Sequence, residues 1–145
     1  MKDFHSGMSA VSVLPAAVLA ADNTPVAIDL QGYDAAELLL SIGAGGITFS
    51  GTNKIEFILT HSDDDSTYTA VADADMLGVS SITSGIIKSL VAAHATGAVY
   101  RFGYVGDKRY LKLLADFSGT HGTGTPVAAA LLKGSGFDNP EDDQA

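Results

Sequence analysis

The chain of 145 residues contains no cysteine and little charge, and each shortage excludes a class of protein. Without cysteine, the chain can form no disulfide, no thiolate metal site and no cysteine nucleophile. Charged residues make up 17% of the sequence, below the usual quarter of a globular protein. The sequence also lacks a run of roughly 18 apolar residues, the length a membrane-spanning helix needs.

Basic residues are the scarcer charge, with 8 Lys and Arg against 17 Asp and Glu, for a net charge of -9. A chain of this charge is repelled by nucleic acid and by anionic membranes, so we expect neither as a partner. Glycine and other small residues are abundant, with 16 glycines. A weakly charged surface rich in small residues suits a protein whose faces are covered by neighbours.

Alternating hydrophobicity predicts a β-strand over Lys54–His61, in which Ile55, Phe57 and Leu59 share one face. A period of two residues is typical of a strand with one buried face. The segment Ala35–Ile42 has helix-favouring composition, but its short length between glycines favours a buried strand. Both segments are therefore predicted to be strands.

The stretch Val99–Phe117 contains two alternating runs on either side of Gly106 and Asp107. In the first run Tyr100, Phe102 and Tyr104 share one side. Gly-Asp between alternating runs is a signal for a tight hairpin, because glycine takes positive φ without steric cost. This stretch is predicted to be a hairpin in the centre of the fold.

Two further segments complete the pattern. Val11–Ala20 is predicted to be a strand with Pro15 at an edge or a bulge. Gly85–His94 fits a strand followed by a turn, or a short helix, and the sequence leaves the two open.

Turn signals separate about eight to ten short strands, a pattern that predicts an all-β protein. The predicted fold is a single β-sandwich, jelly-roll-like or Greek-key in topology. We place an extended N-terminal arm at residues 1–10, the β-sandwich domain at residues 11–134 and an acidic tail at residues 135–145.

The acidic loop Asp63–Asp65 offers carboxylate oxygens of the kind that bind Ca²⁺. It fails the EF-hand template, because no glycine occupies the sixth position and Ala74 occupies the twelfth. The favoured interpretation is a solvated hairpin tip with local turn hydrogen bonds. Whether the loop binds a cation stays open, and no metal site is predicted.

Ser118, His121 and Asp116 lie close together in sequence, but closeness in sequence is not the geometry of a catalytic triad. The nucleophile-elbow pattern and the phosphate-binding glycine motifs are absent. We therefore predict no catalytic residue, no cofactor and no enzymatic activity.

The predicted hairpin carries the one basic-aromatic cluster of the sequence. Its candidate protein-contact residues are Arg101, Lys108, Arg109, Tyr110, Tyr100 and Tyr104. Arginine and tyrosine are enriched at interface anchors, so an acidic protein partner is favoured, with contact at the Gly106-Asp107 tip. Base or sugar stacking and cross-strand pairing within the sheet are the alternatives.

Five short segments together resemble small proteins encoded in the structural-gene clusters of tailed bacteriophages and prophages. These segments are Ala27–Tyr33, Lys54–Phe57, Leu59–Asp64, Gly103–Gly106 and Lys108–Leu111. The resemblance extends over roughly residues 11–134 and leaves out the arm and the tail.

The resemblance implies a virion structural protein, specifically a capsid decoration or cement protein on the outer capsid surface. Its expected partners are the phage major capsid protein, whose neighbouring subunits it would clamp, and its own copies, as a dimer or trimer. The alternative is a tail or baseplate component, or a carbohydrate-binding module on the virion surface that uses Tyr100, Tyr104 and Arg109.

Overall fold

The computed structural model describes residues 3–142, in which the regular structure is β-strand apart from two 3-10 turns at His5–Gly7 and Asp73–Asp75. In chain order the strands are β1 (Met8–Leu19), β2 (Ile28–Asp29), β3 (Tyr33–Ile42), β4 (Lys54–Ser62), β5 (Thr69–Ala70), β6 (Met76–Leu77), β7 (Ile86–Leu90), β8 (Ala98–Tyr104), β9 (Tyr110–Ser118) and β10 (Thr125–Gly136). Within this range, no helix has the length and apolar character needed to cross a membrane.

The strands form nested antiparallel pairs, in which each of the first four strands pairs with a strand of the second half of the chain. β1 pairs with β10, β2 with β9, β3 with β8, and β4 with both β7 and β5. These pairs lie alternately in two sheets. Sheet 1 has the order β1-β10-β3-β8-β6, and sheet 2 has the order β2-β9-β4, with β5 and β7 beyond β4. This nested pairing is a jelly roll, so the predicted all-β sandwich is confirmed.

The core lies between the two sheets and follows from the alternation along each strand. On β4, Ile55, Phe57 and Leu59 are buried, while the residues between them are half-buried on the outer side. On β3, Leu38 and Leu40 are buried in the same core. The predicted strands at Lys54–His61 and Ala35–Ile42 are therefore confirmed, and so are their buried faces.

The predicted hairpin at Val99–Phe117 is wrong. Both of its strands exist, but β8 belongs to sheet 1 and β9 to sheet 2, and they do not pair with each other. The connection at residues 105–109 crosses from one sheet to the other at the end of the sandwich. Alternation shows which face of a strand is buried, and a strand pair within one sheet gives the same pattern as two strands facing across a core.

Gly106 serves a different purpose from the one the hairpin prediction gave it. Its φ is not positive. A Cβ atom at this position would lie 2.6 Å from the hydroxyl oxygen of Tyr104 and 2.7 Å from the ring atom that carries it. Glycine is therefore required because the Tyr104 ring folds back against the backbone of the connection, and not because of a turn conformation.

β1 and β7 settle the two remaining strand predictions. The pairing of β1 with β10 shifts register between Ser12 and Leu14 and again between Leu14 and Ala17. Pro15 lies inside this irregular stretch of an edge strand, where a missing N–H is tolerated, so the predicted bulge is confirmed. Of the two forms left open for Gly85–His94, the structure has the strand, β7.

The chain ends continue the sheets and contact each other. β1 begins within the predicted arm, and β10 ends within the predicted tail. Beyond β10, the backbone N–H of Glu141 donates to the Ser6 carbonyl at 2.9 Å. The Tyr33 hydroxyl donates to the Glu141 carboxylate at 2.7 Å. Residues 1–2 of the predicted arm and 143–145 of the predicted tail lie outside the described residues.

Candidate interaction surface

A groove of about 720 Å³ opens at the end of the sandwich where the chain crosses between sheets. It lies between the β2–β3 connection and the β8–β9 connection, and Asp63 and Phe137 also line it. We call it the end groove. Three of the six predicted contact residues line it, namely Tyr104, Lys108 and Arg109.

Large apolar side chains are exposed in the end groove. Leu77 is 59% exposed, Val105 53% and Phe137 73%, and all three line the groove. Single exposed apolar residues are ordinary, but several around one concavity with a charged rim mark a protein-binding surface. The end groove is therefore an exposed apolar concavity with charged residues around it.

The two cations of the end groove are paired within the chain. Lys108 Nζ lies 2.6 Å from Asp63 Oδ2. Arg109 donates from Nε and Nη2 to the two carboxylate oxygens of Asp29 at 2.8 and 2.6 Å, and this fork holds the pKa of Asp29 below its usual value. Exposed pairs of this kind add little stability, but they fix the position of the β8–β9 connection.

Tyr104 lies beneath the end groove and joins the two sheets. Its side chain is buried, and its hydroxyl is 3.0 Å from Nδ1 of His61 on β4. The backbone N–H of Lys108 donates to the same hydroxyl at 3.1 Å. Burial raises the pKa of Tyr104 to about 12, so the hydroxyl stays neutral and can both donate and accept.

His61 makes the stability of the fold depend on pH. Burial lowers the pKa of His61, an effect that nearby Asp75 opposes and nearby Lys108 reinforces. The unfolded chain binds a proton on this residue near its ordinary pKa of 6.5, whereas the folded chain does so only at lower pH. The contribution of His61 to stability is therefore present above pH 6.5 and lost as the pH falls below it.

We therefore expect the free energy of unfolding to decrease as the pH falls below about 6.5, by at most about 1.4 kcal/mol per pH unit for one proton. Urea denaturation at a series of pH values measures this change. The variant His61→Gln, which does not titrate, should show a flatter profile in the same interval. An equal slope in both proteins would contradict the assignment to His61.

The other predicted contact residues lie apart from the end groove. Arg101 is on the outer face of sheet 1, with Nε 3.9 Å from Glu37 Oε1. The Tyr100 hydroxyl is 2.7 Å from Nε2 of His94, and Lys88 Nζ lies 4.2 Å from the centre of the Tyr100 ring. These contacts are within the chain.

Tyr110 begins β9, and its ring lies 4.8 Å from the Arg109 guanidinium. Because Tyr104 is buried and Tyr100 is held by His94, the structure does not bring Tyr100, Tyr104 and Arg109 together as a stacking surface for sugars. The six predicted residues are therefore distributed over three parts of the molecule.

The acidic loop after β4 is organised by Asp64. Its Oδ1 accepts hydrogen bonds from the backbone N–H groups of Ser66 and Thr67 at 2.9 and 2.8 Å, and these bonds lower the pKa of Asp64 to about 2. The predicted local turn bonding is confirmed. Residues 3–142 contain no group of three or more His, Cys, Asp or Glu side chains arranged to hold a metal ion.

Ser118, His121 and Asp116 do not assemble a triad. Nε2 of His121 lies 2.8 Å from the backbone carbonyl of Ser118, not from its hydroxyl. The imidazole is buried, with its ring edge-on to Phe117 at 4.8 Å. His121 packs as a core side chain at the end of the sandwich opposite to the end groove.

The sequence analysis missed the apolar residues of the end groove, although two of them left a signal. Val105 is an apolar residue on the side of the β8 alternation opposite to Phe102 and Tyr104. Phe137 is a single aromatic residue in a segment that is otherwise glycine-rich and acidic. Leu77 left no such signal, since its exposure depends on the pairing of β6 with β8.

The fold and the end groove together define an all-β jelly-roll protein with an exposed apolar groove at one end. No protein-family model and no curated protein matches the chain. Among solved structures, the crystal structure of the SPBc2 prophage-derived protein YomS is similar, with 12% identity, a TM-score of 0.46, and coverage of 88% of this chain and 93% of that one. A likeness of this degree carries no argument about what the chain does.

Proposed function

We propose that this chain is a virion structural protein, a capsid decoration protein that binds across neighbouring major capsid protein subunits on the outer surface of a phage capsid. The observation that carries the proposal is where the phage-like segments meet. Four of the five reach the end groove: Ala27–Tyr33, Leu59–Asp64, Gly103–Gly106 and Lys108–Leu111 each contribute residues to its lining. The sequence resemblance and the exposed apolar surface therefore coincide.

The end groove suggests how the shell would be bound. Apolar side chains of a capsid subunit would cover Leu77, Val105 and Phe137 and remove them from water. Asp34 and Asp107 also line the groove, and neither has an ion-pair partner among residues 3–142. Because Lys108 and Arg109 are already paired within the chain, we propose that the shell presents a basic side chain to these two acids, and not the acidic partner that the sequence favoured.

Purified protein mixed with capsids that lack it tests the proposal, with bound copies counted after the shells are sedimented. Val105→Asp and Phe137→Asp are each expected to weaken binding about 30-fold, the effect of losing an interface anchor worth about 2 kcal/mol. Val91→Asp is the matched control, because Val91 is 49% exposed and lies at the opposite end of the sandwich.

Failure of the unmodified protein to sediment with shells would refute the capsid proposal. Binding to purified tails or baseplates in place of shells would assign the protein to the tail. Equal losses in Val91→Asp and in the groove variants would show that the end groove is not the contact.

A further inference from the structure

The outer face of sheet 1 carries almost no charge. In the middle of two of its strands, β10 and β3, the outward residues are Ala128, Ala130, Leu132, Glu37, Leu39 and Ser41, all exposed or half-buried. On the next strand, β8, Val99 is 65% exposed, and the Arg101 side chain is 78% exposed. Apart from Ser41 and one Glu-Arg pair, the residues named on this face are therefore apolar or small.

The outer face of sheet 2 is different. Lys54 and Glu56 on β4 alternate outward, and Lys112 and Asp116 do so on the neighbouring β9. A sandwich that exposes both faces to water normally alternates apolar-in and polar-out on both sheets. Sheet 2 follows this rule more closely, with Ile58 and Leu114 as apolar exceptions between its charged residues. Sheet 1 departs from it further, so sheet 1 has the composition of a face that another protein covers.

We propose that the outer face of sheet 1 binds the same face of a second copy of this chain. The register of the strands defines two neighbouring rows on it. The first row is Ala130, Leu39 and Arg101, and the second is Leu132, Glu37 and Gly103. Consider a two-fold axis that lies in the plane between the two faces, parallel to these rows and midway between them. This axis places each row of one copy opposite the other row of its partner. The inference goes beyond the proposed function, because the face is centred on the strands of sheet 1, although Glu37 and Gly103 at its edge also line the end groove.

Under this axis a large residue meets a small one on β10 and on β8, while on β3 Leu39 lies over the aliphatic part of Glu37 of the partner subunit. Leu132 lies over Ala130 of the partner subunit, and Arg101 lies over Gly103 of the partner subunit. A Cβ added at Gly103 would lie 3.2 Å both from Glu37 Oε2 and from Leu77 Cβ, so these two side chains cover the buried glycine, and Arg101 of the partner subunit would pack against them. Because the interface is isologous, each such contact occurs twice.

The charges on the face are self-complementary in the same arrangement. Within one copy, Arg101 already lies 3.9 Å from Glu37. The two-fold axis gives it a second carboxylate, Glu37 of the partner subunit, and makes a ring of four charges that alternate in sign. The face itself is neutral, although the chain carries a net charge of -9, so the two copies approach through the part of the surface where their repulsion is weakest.

The face is also large enough. Four strands about 4.8 Å apart and about 33 Å long give a flat area of roughly 600 Å², and side chains increase the accessible area further. Stable interfaces bury about 800 Å² per partner. Two such faces packed about 10 Å apart would form a standard sheet-on-sheet interface.

Sedimentation equilibrium of the full chain at about 100 μM, well above a micromolar dissociation constant, is expected to give twice the chain mass of 14.9 kDa. Arg101→Glu and Glu37→Arg are each expected to reduce the mass to that of a single chain, because four like charges then meet at the axis. Mixing the two variants in equal amounts is expected to restore the doubled mass, since each acidic pair then meets a basic pair. Lys112→Glu, a charge reversal on sheet 2, serves as the control.

A single-chain mass for the unmodified protein would overturn the inference, and so would a doubled mass that survives both reversals. If the unmodified protein is a single chain while Arg101→Glu loses shell binding, the face belongs to the capsid contact; the inference then falls and the proposed function stands. If the mixture restores the doubled mass but neither the unmodified protein nor any variant binds shells, the inference stands and the proposed function falls.

Discussion

Replacement of Phe57 by alanine is expected to lower the free energy of unfolding by about 3–5 kcal/mol, the usual cost of deleting a buried aromatic ring. Phe57 is 0% exposed and lies in the middle of β4, which has neighbours on both sides in sheet 2. Its removal leaves a cavity between the sheets that β4 cannot close without shifting its pairing with β9. Urea denaturation followed by circular dichroism measures the loss.

The control is Ile58→Ala on the same strand. Ile58 points to the outer face of sheet 2, where it is half-buried beside Leu114 and Ile86. We expect a loss of about 1 kcal/mol for it, because less apolar area returns to water and no enclosed cavity forms. Since domains of this size are stable by about 5–15 kcal/mol, Phe57→Ala removes a large share of the stability, while Ile58→Ala leaves most of it. Equal losses would show that the core does not lie between the sheets as described.

The buried faces of the strands were predictable from the sequence, because alternation is a local property. The pattern over Lys54–His61 gave the correct inner residues of β4. The alternation along Val99–Phe117 likewise placed Tyr104 on the same side as Phe102, and both are buried. The burial of Tyr104 was thus implied by the alternation, which conflicts with its use as a surface contact residue.

The partners of the strands were not predictable in this way. β1 pairs with β10 from the other end of the chain, and no local pattern reports a contact of that separation. The same is true of β8 and β9, whose five-residue connection fits a hairpin loop as well as a crossing between sheets. The end groove depends on this crossing, so its apolar lining could not be assembled from the sequence.

Conversion of Tyr104 to phenylalanine is expected to cost about 1–3 kcal/mol, although it removes only one oxygen atom. The hydroxyl is the partner of Nδ1 of His61 and of the Lys108 N–H, and a buried polar group left unpaired loses its full hydration energy. Tyr100→Phe is the control, because the Tyr100 hydroxyl also bonds a histidine, His94, but the pair is only partly buried. Water can replace that bond, so a loss below about 1 kcal/mol is expected there.

A double-mutant cycle separates this hydrogen bond from packing. If the His61–Tyr104 contact is the source of the loss, Tyr104→Phe should cost much less in a His61→Phe background than in the unmodified protein. Additive losses would instead assign the cost to the Lys108 N–H alone. In either case the β8–β9 connection loses an anchor beneath the end groove, so shell binding should weaken, whereas the doubled mass set by Arg101 and Glu37 on sheet 1 should not change.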